Sequence, residues 1–456
     1  MRHRTKTRLK RLFRNAALIL LIPPAALLSF RLAWGVEASH RLANARAHLH
    51  ALGLPATAAD LPDPTKIPAD QDAVAPFLRA LSEFRLTRDD TDDISPTTAL
   101  DLQTITPSDR QVSQWERIAR EHQSAFEDLD LAAARNRYAW PLAYSFYYGH
   151  DSFRLSPARD IALLLAELAI VDGTRHRDAD AFQNVRMILS SSSIFDHNGL
   201  LIEHLVAIAD SSIALQTIER LLPAADFRNP ATQSEAKKLL AESQKDFNSS
   251  GFEYTWAGET VFLDSSVSQF RPNKTWLLSP IEDDDEAVGL ANDAAQYPIA
   301  AAHNYPESKA FVPPAPPEPQ DRLAELTQPY SPNTLDLRRV YALHARTVAF
   351  RRAASILLAS YLFREVYGHF PIDATELMPE FLSRIPTDPF DAADKPLRYR
   401  VDPGGPTVWS VGENGVDDSA RLAPGKSTDR FRGQPDFVFG AAWRGHLEGG
   451  PAAVPK

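Results

Sequence analysis

From Asp336 to Tyr367 the chain contains neither proline nor glycine, and it then reads Gly368-His369-Phe370-Pro371. A run this long with helix-compatible residues predicts one continuous helix with Val340, Leu343, Ala354, Leu357, Leu358 and Tyr361 as its apolar stripe. Gly368 supplies the left-handed residue that ends a helix cheaply, and Pro371 prevents the helix from resuming. Arg338, Arg339, Arg346, Arg351 and Arg352 exclude a membrane span here. So long a helix needs a partner surface, and the sequence beyond it changes texture. Residues 373–383 read as a short amphipathic helix, followed by a Pro-Thr-Asp-Pro-Phe turn. "PLRYRVD" and "TVWSVG" alternate as strands around Pro403-Gly404-Gly405, predicting a hairpin, and "DFVFG" (436–440) reads as one more short strand.

The other end is constrained just as strongly. Residues 1–14 carry Arg2, Arg4, Lys6, Arg8, Lys10, Arg11 and Arg14 and no acid. "AALILLIPPAALLSF" (16–30) follows without a charge, then Arg31, then "LAWGV" to Val36. A basic flank before an apolar run places the arm in the cytoplasm and the rest across the membrane. Fifteen residues are short of the roughly 20 that span a bilayer, but the segment to Val36 reaches that length if Arg31 snorkels beside Trp34. A cleaved signal peptide and a buried helix are the other readings; the cleavage sites are unpersuasive, and a retained anchor fits best.

Without the seven arm residues, 42 basic side chains face 59 acidic ones. A body so acidic is unsuited to nucleic acid. The chain has no cysteine, which excludes disulfides and thiolate chemistry. At 456 residues it exceeds one ordinary core.

The organisation that follows is a basic cytoplasmic arm (1–14), a transmembrane anchor (15–36), juxtamembrane helices and linker (37–109), and a helical domain (110–250). An irregular, Pro-rich connecting segment (251–333), an α/β module (334–445) and a tail (446–456) complete it. Residues 37–56 read as a helix ending at Gly53, and 73–84 as a short one. Pro107-Ser108-Asp109 opens a helix with Val112, Trp115, Ile118 and Ala119 on one face. Asp172-Gly173 separates two helices of a hairpin, and 198–222 is strongly apolar. "IEDDDEA" (281–287) reads as a solvated face or a helix cap, and "FVPPAPPEP" (311–319) as a polyproline-like strap. The expected fold class is therefore mainly α with a C-terminal α+β module: N-terminal membrane helix, helical-hairpin domain, then a long helix packed on a small antiparallel sheet.

Several C-terminal elements occur in an order that resembles the C-terminal half of type II secretion major pseudopilins. They are Gly368-His369-Phe370-Pro371, Leu377, Pro386-Thr387-Asp388-Pro389, Pro396-Leu397-Arg398-Tyr399, Trp409-Ser410-Val411-Gly412-Glu413-Asn414-Gly415 and Asp436-Phe437. The resemblance covers less than a quarter of the chain. It implies one long helix on a small antiparallel sheet and a calcium site in the loop after the Trp-Ser-Val-Gly strand. The matching positions are Asn414 and Asp436, with Asp417 and Asp418 nearby. Calcium prefers several hard oxygens, and Asn414 stands where the family has a carboxylate. "SARLAPGKSTDRFRGQP" is an insertion between the two halves of the site, and residues 12–20 lack the family's processing motif. The chain thus resembles an envelope protein that carries the module, not an ordinary pilus subunit.

No metalloprotease, serine-hydrolase, P-loop or dinucleotide fingerprint occurs. Ser234-Glu235-Ala236-Lys237 matches Ser-x-x-Lys without its partner motifs, and Asp196, His197 and His204 fit a helix start and exposed face better than a metal site. His40, His48 and His50 fit a solvated helix better than one. The expectation is a single-pass protein of the inner (cytoplasmic) membrane, its C-terminal bulk extracytoplasmic, without an evident catalytic site. Its role would be structural or protein–protein, related to secretion or envelope assembly, with the membrane and other envelope proteins as partners. An extracytoplasmic, hydrolase-like enzyme with a site scattered over the helical domain is the alternative.

Overall fold

Helix-forming sequence dominates, and the computed structural model is mainly helical with one small antiparallel sheet near the C-terminus. It describes residues 2–61, 66–87, 89–90, 106–140, 152–197, 200–245, 252–253, 255–262, 276, 279–314, 336–423 and 429–447. The principal helices begin with α1 (Arg2–Ala51), α2 (Val74–Glu83), α3 (Asp109–Glu121) and α4 (Gln123–Ala133). Next come α5 (Ser152–Thr174), α6 (Asp178–Asp196), α7 (Leu201–Leu221) and α8 (Pro230–Gln244). Then follow α9 (Ser279–Ala300), α10 (Tyr305–Ala310) and α11 (Leu337–Tyr367). Strands β1 (Arg398–Asp402), β2 (Gly405–Ser410) and β3 (Phe437–Gly440) precede α12 (Ala441–Leu447).

The chain divides into two compact units. The first comprises Met1–Asp60, Thr260–Ala295 and Pro313–Leu335; the second comprises Leu61–Glu259, Gln296–Val312 and Asp336–Lys456. In the first unit α1 is one helix of 50 residues, with Pro23 and Pro24 inside it. Arg31, Ala38, Leu42 and Leu49 form its buried stripe at helical spacing, and the positive φ of Gly53 follows its end. The side chains of residues 2–20 lie outside the description, so the apolar run is described from Leu21 onward. Residues 251–333 are less irregular than their composition suggests, because "IEDDDEA" lies within α9 and Tyr305–Ala310 is helical. The proline tract beyond residue 314 lies outside the described residues.

In the second unit α6 is buried along most of its length, packed by α5, α7 and α8. Ser108 caps α3 with Gln111 in a capping box, and Trp115 and Ile118 are buried below it. Among the described residues, α7 is the one helix long and apolar enough to cross a membrane, yet 67% of that stretch is buried within the protein. It is a core helix.

The long helix ends as its sequence dictates: Gly368 has φ +77° and its N–H returns to Arg364 O at 2.8 Å. Leu343 is 38% exposed, whereas His344, one residue on, is buried. The helix rotates its stripe to bring Tyr341, His344 and Val348 inward, because α11 packs on α7 and α8 as well as on β2 and β3. The expected helix at 373–383 is reduced to a 3-10 turn, Ala374–Leu377. Met378 is extended before Pro379, which offers no N–H to continue a helix. Strand order is β1-β2-β3, all antiparallel, with Asp402 opposite Gly405 and Thr407 opposite Gly440.

Candidate functional site

The calcium expectation places four donors in the loop after β2. Asn414 and Asp418 meet, Nδ2 donating to Oδ2 at 3.1 Å, and Asn414 Oδ1 accepts the Val416 N–H at 2.8 Å. Asp417 turns to Trp409, whose Nε1 donates to Oδ1 at 2.9 Å, and to the Ser419 N–H at 3.0 Å; its other oxygen lies 3.6 Å from Arg398 Nε. Asp436 is fully buried and accepts from Asp418 N and Arg421 N at 3.2 and 3.3 Å. Burial, with the nearby charges of Asp417 and Asp418, pushes the Asp436 carboxyl up to about 6. The oxygens are thus directed at the chain's own N–H groups. Among the described residues no group of three His, Cys, Asp or Glu side chains is placed to hold a metal ion, and in this arrangement the four candidate side chains are engaged by the chain's own groups.

The same end of the module holds a different carboxylate centre. Asp388, from the Pro-Thr-Asp-Pro motif, is 1% exposed. It accepts from Phe390 N, Ser410 Oγ and Val411 N at 2.7–3.0 Å, and from Arg398 Nη1 at 2.6 Å. Burial raises its pKa against those four donors. Arg398 also pairs with Asp391, so one guanidinium ties the turn to β1. The signal in the sequence was an aspartate between prolines, followed by Trp-Ser-Val-Gly; its role needs the fold to be seen.

A second buried pair joins α7 to the module within the same unit. Glu219 accepts from Arg430 through both carboxylate oxygens, at 3.1 and 2.6 Å, and from the Gly440 N–H at 2.7 Å. The Arg430 guanidinium lies 4.4, 5.3 and 4.8 Å from the ring centres of Phe350, Phe439 and Trp443. The segment between β2 and β3 therefore supplies a core residue. Glu219 could have been suspected as a lone carboxylate between Ile218 and Leu222 in an apolar helix.

The helical bundle holds a buried histidine pair. His204 Nδ1 donates to Asp196 Oδ1 at 2.5 Å, and the His204 and His344 rings lie 5.2 Å apart, with Phe252 against both. Asp196 and His204 are 5% and 0% exposed, not on an outward helix face as their spacing suggested. The strongly apolar run around them means both faces of α7 are covered. Burial drives His344 down to about 3, so it is neutral; burial opposes ionisation of Asp196, but His204 beside it brings the net shift downward. His197 stacks on Tyr138 at 4.1 Å instead of joining the pair. Ser234 and Lys237 stay exposed on α8, as do His40, His48 and His50 on α1.

His344 also floors a cleft between α11 and the Pro-Thr-Asp-Pro turn, rimmed by His303, Arg352 and Asp394. Its volume of about 50 Å³ accommodates one or two waters, against the several hundred Å³ of a small-molecule site. Its rim is closed by internal bonds: Asp394 Oδ1 lies 3.3 Å from both His303 Nε2 and Asn304 Nδ2, and Arg352 donates to Thr387. Each of these polar centres bonds side chains of the second unit to one another. No family model matches the chain, and no curated protein or solved structure gives a significant match to it.

Proposed function

We propose that the chain is a single-pass protein of the bacterial cytoplasmic membrane, with its bulk outside the cytoplasm and its C-terminal segment a pseudopilin-like contact module. Its role in this reading is to hold other envelope proteins, in secretion or envelope assembly, and not to transform a substrate. The observation that carries it is the packing of α11, ended by Gly368, on β2 and β3, which is the arrangement expected of such a module. The anchor is supported by Leu21, Ile22, Leu27, Leu28 and Phe30, which stand 49–68% exposed on α1 directly after the basic arm.

Val366, Tyr367 and Ile372 are exposed at the far end of α11 and give a place to test the contact. A photo-crosslinking residue at Ile372, activated in intact membranes, should give adducts that contain secretion-apparatus components. Adducts confined to cytosolic proteins, or no adducts from any of the three positions, would refute the reading.

A further inference from the structure

Arg31 interrupts the apolar stretch of α1, and its surroundings differ from those of an arginine reaching for lipid. It is 7% exposed; its guanidinium donates to the Trp276 carbonyl and to Ser279 Oγ (2.8 Å) and lies 4.8 Å over the Trp276 ring. The side chain runs along the helix towards Gly35, where an added Cβ would stand 2.6 Å from Arg31 Nη1 and 3.8 Å from Pro280. Gly35 is therefore a notch that lets the guanidinium lie against α1 while the start of α9 closes over it. Its direction is C-terminal, away from the apolar run.

Above that level the partners of α1 are charged. Trp34 Nε1 donates to Asp284 Oδ2 at 3.0 Å, Ser39 Oγ to Asp283 at 3.1 Å, and Arg46 pairs with Glu286. Carboxylates so placed belong in water or headgroups, not in hydrocarbon. Below it, Leu27, Leu28 and Phe30 are exposed and no acid occurs. At the level itself stand three aromatic residues: Phe30 (56% exposed), Trp276 (56% exposed) and Trp34, whose ring centre is 6.2 Å from that of Phe30. Aromatic side chains concentrate at the membrane–water boundary.

Resting on the anchor reading, we propose that α1 leaves the hydrocarbon at Arg31, and that Phe30, Trp34 and Trp276 around the Arg31–Gly35 notch form a collar that docks on the phospholipid headgroups of the outer leaflet. Leu32 and Val36, both exposed, then lie within the headgroup layer and not in the hydrocarbon. The embedded stretch is 16–30, about 22 Å of helix against a core of about 30 Å, a mismatch that local thinning of the bilayer accommodates.

The chain has no cysteine, so single cysteines report position cleanly. Full-length chain in phosphatidylethanolamine–phosphatidylglycerol vesicles, body outward, is treated with a membrane-impermeant maleimide. Leu28→Cys should be protected, and Val36→Cys and Ser39→Cys should react. Protection of Val36→Cys to the level of Leu28→Cys would overturn the exit at Arg31 while leaving the anchor intact. Reaction of Leu28→Cys would overturn the anchor itself. As a check that does not depend on cysteine, lipids brominated near the headgroup should quench tryptophan emission, and Trp276→Phe should lower the quenched fraction; an unchanged fraction contradicts the collar.

Discussion

The pairing of α1 with α9 in the first unit and the joining of α7 to the C-terminal module in the second both rest on arginine–carboxylate contacts, in opposite surroundings. Arg41 of α1 meets Asp284 of α9 at a surface where Arg41 is half exposed, and Arg46 meets Glu286 further along both helices. Arg430 and Glu219 are 5% and 0% exposed, with rings on the guanidinium and a backbone N–H on the carboxylate. Exposed pairs contribute roughly 0–1 kcal/mol, because water competes for both ions. A buried pair adds little over apolar side chains of the same shape, but losing one partner strands a charge at a cost of about 3–5 kcal/mol. The first unit therefore carries an exposed arginine–carboxylate pair at Arg41 and leaves apolar side chains of α1 from Leu21 to Phe30 uncovered, whereas the second has its module keyed into its bundle by a buried pair.

The contrast can be broken by substitution, measured by denaturant unfolding of the detergent-solubilised chain. Arg430→Met should cost about 3–5 kcal/mol, and pairing it with Glu219→Leu should recover much of the loss; an additive double variant would refute the stranded-charge account. His344 tests the bundle. Its native pKa of about 3 lies below the unfolded 6.5, so the unfolded chain binds the extra proton between those values. That contribution is complete above pH 6.5 and is lost as pH falls towards 3, and His344→Gln should flatten the stability profile over that window. Asp436, raised to about 6, acts with the opposite sign: its term weakens stability as pH rises from about 4 to 6, so Asp436→Asn should remove a decline there.

Smaller effects follow. Nothing lies within 4 Å of a Cβ added at Gly368, so Gly368→Ala isolates the cost of the left-handed backbone, about 1–2 kcal/mol. Arg41→Ala, at the exposed pair, should cost less than about 1 kcal/mol. Smallest of all, calcium and chelator should give the same melting temperature, since the Asn414, Asp417, Asp418 and Asp436 donors are turned to the chain's own groups. A stabilisation by calcium would show that the loop rearranges to bind it.

What the sequence disclosed follows from range. The cap at Gly368, the Pro403-Gly404 hairpin and the Ser108 start are written within a few residues, and each formed where its local signal lies. Glu219 and Arg430 are 211 positions apart, and neither residue's neighbours name the other. The acidic run at 281–287 reads as a solvated face or a helix cap, and it does lie at the start of α9, with Glu282 in the first turn. Its partners Arg41 and Arg46 sit on a helix some 240 residues earlier and leave no local signal. The helix expected at 373–383 failed at Pro379, where a local rule was outweighed by the amphipathic pattern around it. Of the candidate site, the loop residues were located, but the partners of their oxygens depend on Trp409 and Arg398 in the sheet.

The central claim, that a membrane helix carries an extracytoplasmic body, is tested most directly by protease treatment of intact spheroplasts. The account predicts that the chain stays with the membrane after carbonate washing, and that added protease removes the body while leaving a protected fragment containing residues 1–30. A chain released by carbonate, or one untouched by protease until the cells are lysed, would contradict it.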